Sequence, residues 1–162
     1  MTEEEKDNII EIIIHSFKNY GLGDIRHNKE RTIAVFILSV CFIDQLASFR
    51  YPKNGSLADR WEMFIDDYMP TYSGLKLYTF FRNTLLHNYS SRGKYALAGD
   101  NEFKEPFLKS NNSIIINTNE FINNIEQAFS KFELELKTIN SAARKNAIIR
   151  YGTHPVLTHK TI

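Results

Sequence analysis

The sequence predicts an all-α fold, a bundle of four to five helices with a small β-hairpin inserted after the fourth helix. Apolar residues recur every three to four positions through most of the 162-residue chain, which indicates amphipathic helices. Between residues 94 and 118 short apolar runs bounded by glycine, proline and asparagine replace this period, as is typical of strands and turns. The content of 43% hydrophobic and 24% charged residues fits one compact domain.

The first helix begins after Thr2, because threonine followed three residues later by Glu5 is a capping-box pattern. Apolar residues then continue at helical spacing as far as Tyr20. Glycine is a common helix-ending residue, so we expect the first helix to end at Gly21 and Gly23.

Two further helices follow. The second is predicted from about Asn28 to Phe49, and the third opens at Ser56 and Asp59 and closes at Pro70. Asp44 interrupts the apolar stripe of the second helix. A carboxylate at such a position either pairs with an arginine or a cap, or lies beside an active site.

A fourth helix is predicted from near Ser73 to close to Ser90, and a final helix from near Asn119. The short apolar runs between Lys94 and Thr118 predict the hairpin that separates them. In the final helix the apolar positions nearly repeat as heptads, which predicts a core stripe, although part of it could equally pack against a second subunit. The stripe consists of Phe121, Ile125, Phe129, Phe132, Leu136 and Ile139.

The C-terminal end differs in charge from the rest of the chain. The overall net charge is +1, yet no acidic residue follows Glu135, whereas five basic residues do. We interpret residues 1–140 as a single helical domain and residues 141–162 as a basic C-terminal extension, either solvated or an arm that contacts phosphate or a partner. The five basic residues are Lys137, Arg144, Lys145, Arg150 and Lys160.

Cysteine content and N-terminal charge predict a cytoplasmic location. The single cysteine, Cys41, cannot form an internal disulfide, which favours a reducing compartment. Glutamates at positions 3 to 5 oppose the charge of a signal peptide, and no apolar run approaches the ~18 residues needed to cross a bilayer. Cysteine and histidine are not clustered at zinc spacing. We therefore expect no metal, no cofactor and no membrane association.

The residues best suited to chemistry lie near the end of the predicted fourth helix, in the segment 81–89. Asn83 and His87 are four residues apart and share one helix face. Arg82 lies about 140° around the axis from His87, with a side chain long enough to cover part of that angle or to reach a neighbouring subunit. An imidazole can accept or donate a proton at neutral pH, an arginine can neutralise charge on a phosphate, and an amide can orient either group. These groups suit cleavage of RNA by its own 2′-hydroxyl without a metal.

The segment resembles the HEPN superfamily (higher eukaryotes and prokaryotes nucleotide-binding), in which an arginine, a polar residue, a few more residues and a histidine stand at the end of a helix. The matching positions are Arg82, Asn83 and His87, and Tyr89 adds the His-x-Tyr ending of toxin members paired with nucleotidyltransferases. The resemblance implies a four- or five-helix bundle and a metal-independent ribonuclease whose site forms where two protomers meet. It also implies an RNA substrate, a homodimer and, in toxin–antitoxin or phage-defence systems, an antitoxin or nucleotidyltransferase partner.

The loop after the motif supplies aromatic and basic groups for substrate binding. Tyr89, Arg92 and Lys94 follow His87 closely and could stack on and neutralise single-stranded RNA. Arginine and histidine are also common in the last turn of a helix without catalysis, where they interact with the negative end of the helix dipole. Two alternatives to a ribonuclease therefore stay open. One is a non-catalytic HEPN-like module in which Arg82 and His87 hold a ligand phosphate or a partner chain, and the other is a helical subunit that docks through its last helix and tail.

Overall fold

The computed structural model describes residues 1–53, 55–79, 93–99, 103–110 and 112–158. Over these residues the protein is mostly helical with a small three-stranded sheet, so the predicted helical bundle with a small β insertion is confirmed at that level. The helices are α1 (Glu3–Ser16), α2 (Gly23–His27), α3 (Thr32–Arg50), α4 (Leu57–Tyr68), α5 (Thr118–Lys137) and α6 (Ala142–Thr153), and the strands are β1 (Tyr95–Ala98), β2 (Phe107–Lys109) and β3 (Ile114–Asn117).

Helix α1 begins as predicted but does not end at the glycines. The backbone N–H of Glu5 donates to the Thr2 hydroxyl at 3.1 Å, and the Glu5 carboxylate accepts from the backbone N–H of Thr2 at 2.7 Å, so the capping box is confirmed. Helical backbone continues through a π-helical segment, Phe17–Leu22, into α2. A Cβ at Gly21 would lie 2.3 Å from Cε2 of Phe42. The predicted helix end at Gly21 and Gly23 is wrong, because Gly21 serves close packing against Phe42.

Helix α3 is the central helix and packs against α2, α4, α5 and α6. It begins at Thr32 rather than near Asn28, because Asn28 caps the end of α2. Its 19 residues and mean hydropathy of 1.9 are enough to cross a membrane by length and composition, so the expectation that no apolar segment reaches that length is not met. Half of this stretch is buried inside the protein. Core helices of soluble proteins pass the same test, so this feature alone is weak evidence of a membrane span.

Helix α4 has the predicted bounds. The backbone N–H of Asp59 donates to the Ser56 hydroxyl at 3.1 Å, which completes a second capping box together with the bond from the Ser56 N–H to the Asp59 carboxylate. Pro70 follows the helix and begins a short 3-10 helix, Pro70–Tyr72. Trp61 and Phe64 on the inner face are fully buried. This face packs against α3 and α5.

The predicted fourth helix begins later than expected. Gly74 and Lys76 have positive φ values of +74° and +52°, so the backbone turns here and the next helical residue is Leu77 rather than Ser73. Residues 80–92, which include the rest of that predicted helix, lie outside the described residues.

The β insertion is a sheet with strand order β1-β3-β2 rather than a simple hairpin. Strands β2 and β3 form an antiparallel pair with Leu108 opposite Ile115. Strand β1 pairs in parallel with the other edge of β3, with Ala96 opposite Ile115. The sequence indicated β1 and β3 but not β2, and the parallel pairing of β1 with β3 leaves no local turn signal.

Helix α5 follows β3 directly. The side-chain oxygen of Asn117 accepts from the backbone N–H groups of Asn119 and Glu120, both at 3.1 Å, and so begins the helix close to the predicted residue. The predicted apolar stripe is buried as far as Leu136. Ile139 lies beyond the helix and is 67% exposed, so it is the one residue of the predicted stripe that does not belong to the core.

Residues 142–153 form α6, which packs against α1, α3 and α5. Ala143 and Ala147 are fully buried and Arg144 is 4% exposed. The Arg144 guanidinium donates to the Asp7 carboxylate at 2.6 Å. The interpretation of this segment as a solvated extension or docking arm is wrong for α6, because small alanines let the helix pack closely on the bundle.

Candidate functional site

The motif residues lie in the segment 80–92. Arg82, Asn83, His87, Tyr89 and Arg92 are therefore outside the described residues. The structure describes the chain up to residue 79 and again from residue 93, which fixes both ends of the segment. The sixth predicted site residue, Lys94, is described.

The entry to the segment is a tight turn after the 3-10 helix. Gly74 adopts a positive φ with open space around its Cα, and Lys76 adopts φ +52°. A left-handed conformation is uncommon for a residue with a long side chain, and such residues concentrate at functional sites. The turn places Lys76 on the wall of a surface cavity.

The exit from the segment lies beside its entry. Gly93 has a φ of +71°, and β1 begins two residues later at Tyr95. The Tyr95 hydroxyl donates a hydrogen bond to the backbone carbonyl of Leu75. Tyr95 is 6% exposed, and burial together with the charge of Glu62 raises the pKa of its hydroxyl. The two ends of the motif segment are thus held together by a buried hydrogen bond.

Three lysines from separate parts of the chain line a cavity of about 450 Å³ between these ends. Lys94 comes directly before β1, and its carbonyl accepts from the backbone N–H of Ile114 at 2.9 Å. Lys109 ends β2 and pairs with Ile114 from the other side. The central strand β3 therefore sets Lys94 and Lys109 on either side of Ile114, and the turn adds Lys76.

The charge of this cavity is positive. Among the described residues that line it there is no carboxylate, and the remaining lining is mostly glycine, serine, asparagine and apolar residues. Lys109 also lies over the ring of Phe107, with its Nζ 5.8 Å from the centroid. Outside the lining, the charge of Lys76 acts on Glu62, where burial raises the pKa of the carboxyl and Lys76 partly offsets that rise. Lysines in such an arrangement attract phosphate as point charges.

One of these three lysines, Lys94, is among the residues that the sequence predicts to bind substrate. Lys94 was predicted because it follows the motif, whereas Lys76 and Lys109 join it only through the turn and the sheet. The turn had a local signal, since Gly74 precedes Lys76 by two residues. The position of Lys109 depends on the order of the strands in the sheet, so no local sequence signal indicated it.

Within the part of the chain that the structure describes, no three histidine, cysteine or acidic side chains come together as a metal site requires. No protein-family model, curated protein or solved structure matches this chain.

Proposed function

We propose that this protein is a metal-independent endoribonuclease of the HEPN type, with its active site at a homodimer interface. The observation that carries the proposal is the lysine-lined cavity at the two ends of the segment that contains Arg82, Asn83 and His87. A ribonuclease must hold the phosphates next to the scissile bond as well as the scissile phosphate itself. The cavity supports such a path for the RNA backbone beside the motif.

In the proposed reaction, His87 of one subunit accepts the proton of the RNA 2′-hydroxyl. The resulting alkoxide attacks the adjacent phosphorus, the bond to the 5′-oxygen breaks, and the His87 imidazole of the other subunit donates a proton to that leaving oxygen. The products are a 2′,3′-cyclic phosphate and a 5′-hydroxyl. One motif supplies one imidazole, and two-fold symmetry supplies the second.

The other motif residues have separate tasks in this proposal. Arg82 binds the scissile phosphate more strongly as its negative charge grows, and Asn83 orients His87. Tyr89, Arg92 and Lys94 bind the RNA beside the reacting groups. We further propose a cytoplasmic role in toxin–antitoxin or phage defence, with an antitoxin or nucleotidyltransferase as partner.

Product analysis tests the catalytic part. We expect the protein to cleave RNA in the presence of EDTA and leave 2′,3′-cyclic phosphate ends, and we expect His87→Ala to abolish cleavage. Arg82→Ala should lower turnover about a hundredfold to a thousandfold, the usual effect of removing one preorganised charge-stabilising donor. Unchanged cleavage by His87→Ala, or products with 3′-hydroxyl ends, would refute the mechanism. Binding without turnover would favour the non-catalytic module instead.

Salt dependence of binding tests the cavity. For single-stranded nucleic acid the slope of log affinity against log salt changes by about 0.7 per phosphate contact. Replacing Lys76, Lys94 and Lys109 together by alanine, in the His87→Ala background that prevents cleavage, should lower the slope by about 2. Lys131→Ala removes an exposed positive charge from α5, outside the cavity, and is the matched control. An equal slope in the triple variant and the control would show that the three lysines of the cavity do not contact RNA phosphates.

A further inference from the structure

The buried Arg144 and the partly buried Arg50 are both neutralised by carboxylates. Arg144 is 4% exposed and donates to Asp7 at 2.6 Å. The Nε of Arg50 lies 3.1 Å from a carboxylate oxygen of Glu135 and donates to the Tyr68 hydroxyl at 2.6 Å. Such pairing is expected, because a guanidinium that leaves water loses hydration that only an opposite charge and hydrogen bonds replace.

Arg60 and Arg150 depart from this pattern. Arg60 is 7% exposed, and the Nε atoms of both arginines are buried without a hydrogen-bond partner. Among the residues described by the structure, neither guanidinium has a carboxylate within salt-bridge distance. Burial lowers the pKa of Arg150, and the charge of Arg60 lowers it further. The two positive charges are therefore close enough to repel each other.

Both arginines line one cavity of about 200 Å³ where α3, α4 and α6 meet. Arg60 lies in the first turn of α4, which the Ser56 capping box fixes, and Arg150 lies in the last turn of α6. Lys53, in the loop after α3, adds a third positive charge to the lining. Three elements that belong to the packed bundle thus bring the cations together.

Neighbouring polar groups do not neutralise the cavity. The Tyr51 hydroxyl donates to the Asp67 carboxylate at 2.6 Å, and the Asn146 amide donates to the backbone carbonyl of Arg50 at 2.9 Å. The Nη1 of Arg150 lies 3.2 Å from the Nδ1 of His154, which carries no negative charge. The described lining includes no carboxylate, so it offers no opposite charge to Arg60, Arg150 and Lys53.

We propose that this cavity binds a phosphate group, either inorganic phosphate or the terminal phosphate of a small molecule. Two planar guanidinium groups and one ammonium suit a tetrahedral dianion, whereas a single carboxylate would leave most of the positive charge uncompensated. A water molecule takes about 30 Å³ in the liquid, so a cavity of 200 Å³ holds a phosphate and a few waters. The remainder of a larger ligand would stay outside. The cavity uses none of the residues of the proposed ribonuclease and is independent of that proposal.

Isothermal titration calorimetry of the full chain with inorganic phosphate tests the site. Arg60→Met and Arg150→Met should each weaken binding about tenfold or more, since each removes charge-assisted hydrogen bonds. Methionine keeps the unbranched apolar stem of the side chain without the guanidinium, and exchanging a buried charge for an apolar group is often neutral or stabilising, so both variants should fold. Thermal melting followed by circular dichroism checks this, and phosphate should raise the Tm of the wild type but not of the variants.

Two controls locate the binding. Lys145→Gln removes one positive charge from an exposed position on the same helix as Arg150 and should leave binding unchanged. Replacing Lys76, Lys94 and Lys109 should leave the arginine-dependent part of the phosphate binding unchanged, which separates this cavity from the lysine-lined one.

Titration with AMP in place of phosphate distinguishes the two ligand sources. Tighter binding of AMP identifies a phosphomonoester as the ligand, and equal or weaker binding identifies inorganic phosphate. The proposal is overturned if millimolar phosphate does not bind the wild type, or if both arginine variants bind as well as Lys145→Gln.

Discussion

Gly21 offers the most direct test of how the helical bundle is packed. In Gly21→Ala the added Cβ would lie 2.3 Å from Cε2 and 2.5 Å from Cδ2 of Phe42. Carbon atoms in contact are normally about 3.5–4.0 Å apart, so the ring or the helix would have to move by about 1 Å or more. Phe42 is 3% exposed, and its ring centroid lies 5.9 Å from that of Phe17 and 6.0 Å from that of Phe129. The ring therefore has no open space into which it can turn.

Two opposing effects determine how much Gly21→Ala changes the free energy of unfolding. Alanine is favoured over glycine inside a helix by about 0.8–1.0 kcal/mol, whereas overpacking a core costs about 1–3 kcal/mol. Because the ring is enclosed, we take the upper part of that range and expect Gly21→Ala to lower the free energy of unfolding by about 1–2 kcal/mol. For a chain of this length each 1 kcal/mol corresponds to about 2–4 °C in Tm.

Thermal and urea unfolding followed by circular dichroism measure this change. Gly152→Ala is the control, since Gly152 lies in α6 and a Cβ there would have nothing within 4 Å. The free energy of unfolding of Gly152→Ala should rise by a few tenths of a kcal/mol, up to about 1 kcal/mol, from helix propensity alone. In a Phe42→Leu background the cost of Gly21→Ala should shrink, because the smaller side chain removes the overlap. A Gly21→Ala variant as stable as Gly152→Ala would show that close packing is not what requires glycine at position 21.

Two further predictions concern charge and capping. Burial raises the pKa of Glu133, but hydrogen bonds from Lys137 and Lys18 lower it by more, so its net pKa is below its ordinary value. A carboxyl of this kind stabilises the fold above its unfolded pKa of about 4.3 and loses that contribution as the pH falls through the folded value. Urea unfolding at neutral pH and near pH 3 should therefore show a smaller acid loss in Glu133→Gln, and an equal loss would contradict the assignment. Ser56→Ala should cost about 1 kcal/mol by urea unfolding because it removes the cap of α4, while the exposed Ser130→Ala should be nearly neutral; equal effects would refute the capping argument.

Local signals predicted the parts of the fold that depend on neighbours in the sequence. Both capping boxes and the start of α5 were predictable because a capping side chain and the backbone N–H that donates to it lie within three residues of each other. The continuation of the helix through Gly21 was not predictable, since it depends on Phe42, which belongs to α3. The parallel pairing of β1 with β3 was not predicted for the same reason, since it also joins separate segments of the chain.

Helix α6 shows a second limit of sequence reasoning. A run of residues with basic charges and no acids resembles a solvated tail, yet Ala143 and Ala147 are buried and Arg144 lies inside the bundle. What decides the position of Arg144 is Asp7, a residue at the other end of the chain. A count of charges among the C-terminal residues alone does not include Asp7.

The distribution of acids, rather than that of bases, explains why a chain with a net charge of +1 has two strongly positive cavities. Arg144 and Arg50 lie beside carboxylates, so their charges stabilise the bundle and are not available to a ligand. The described linings around Lys109 and around Arg60 contain no carboxylate, so an anion that enters either cavity meets basic side chains and no acidic one in its described wall. In this fold a basic side chain can bind an anion where the packing places no carboxylate beside it. That condition depends on tertiary structure, so the two cavities could not be predicted from the sequence.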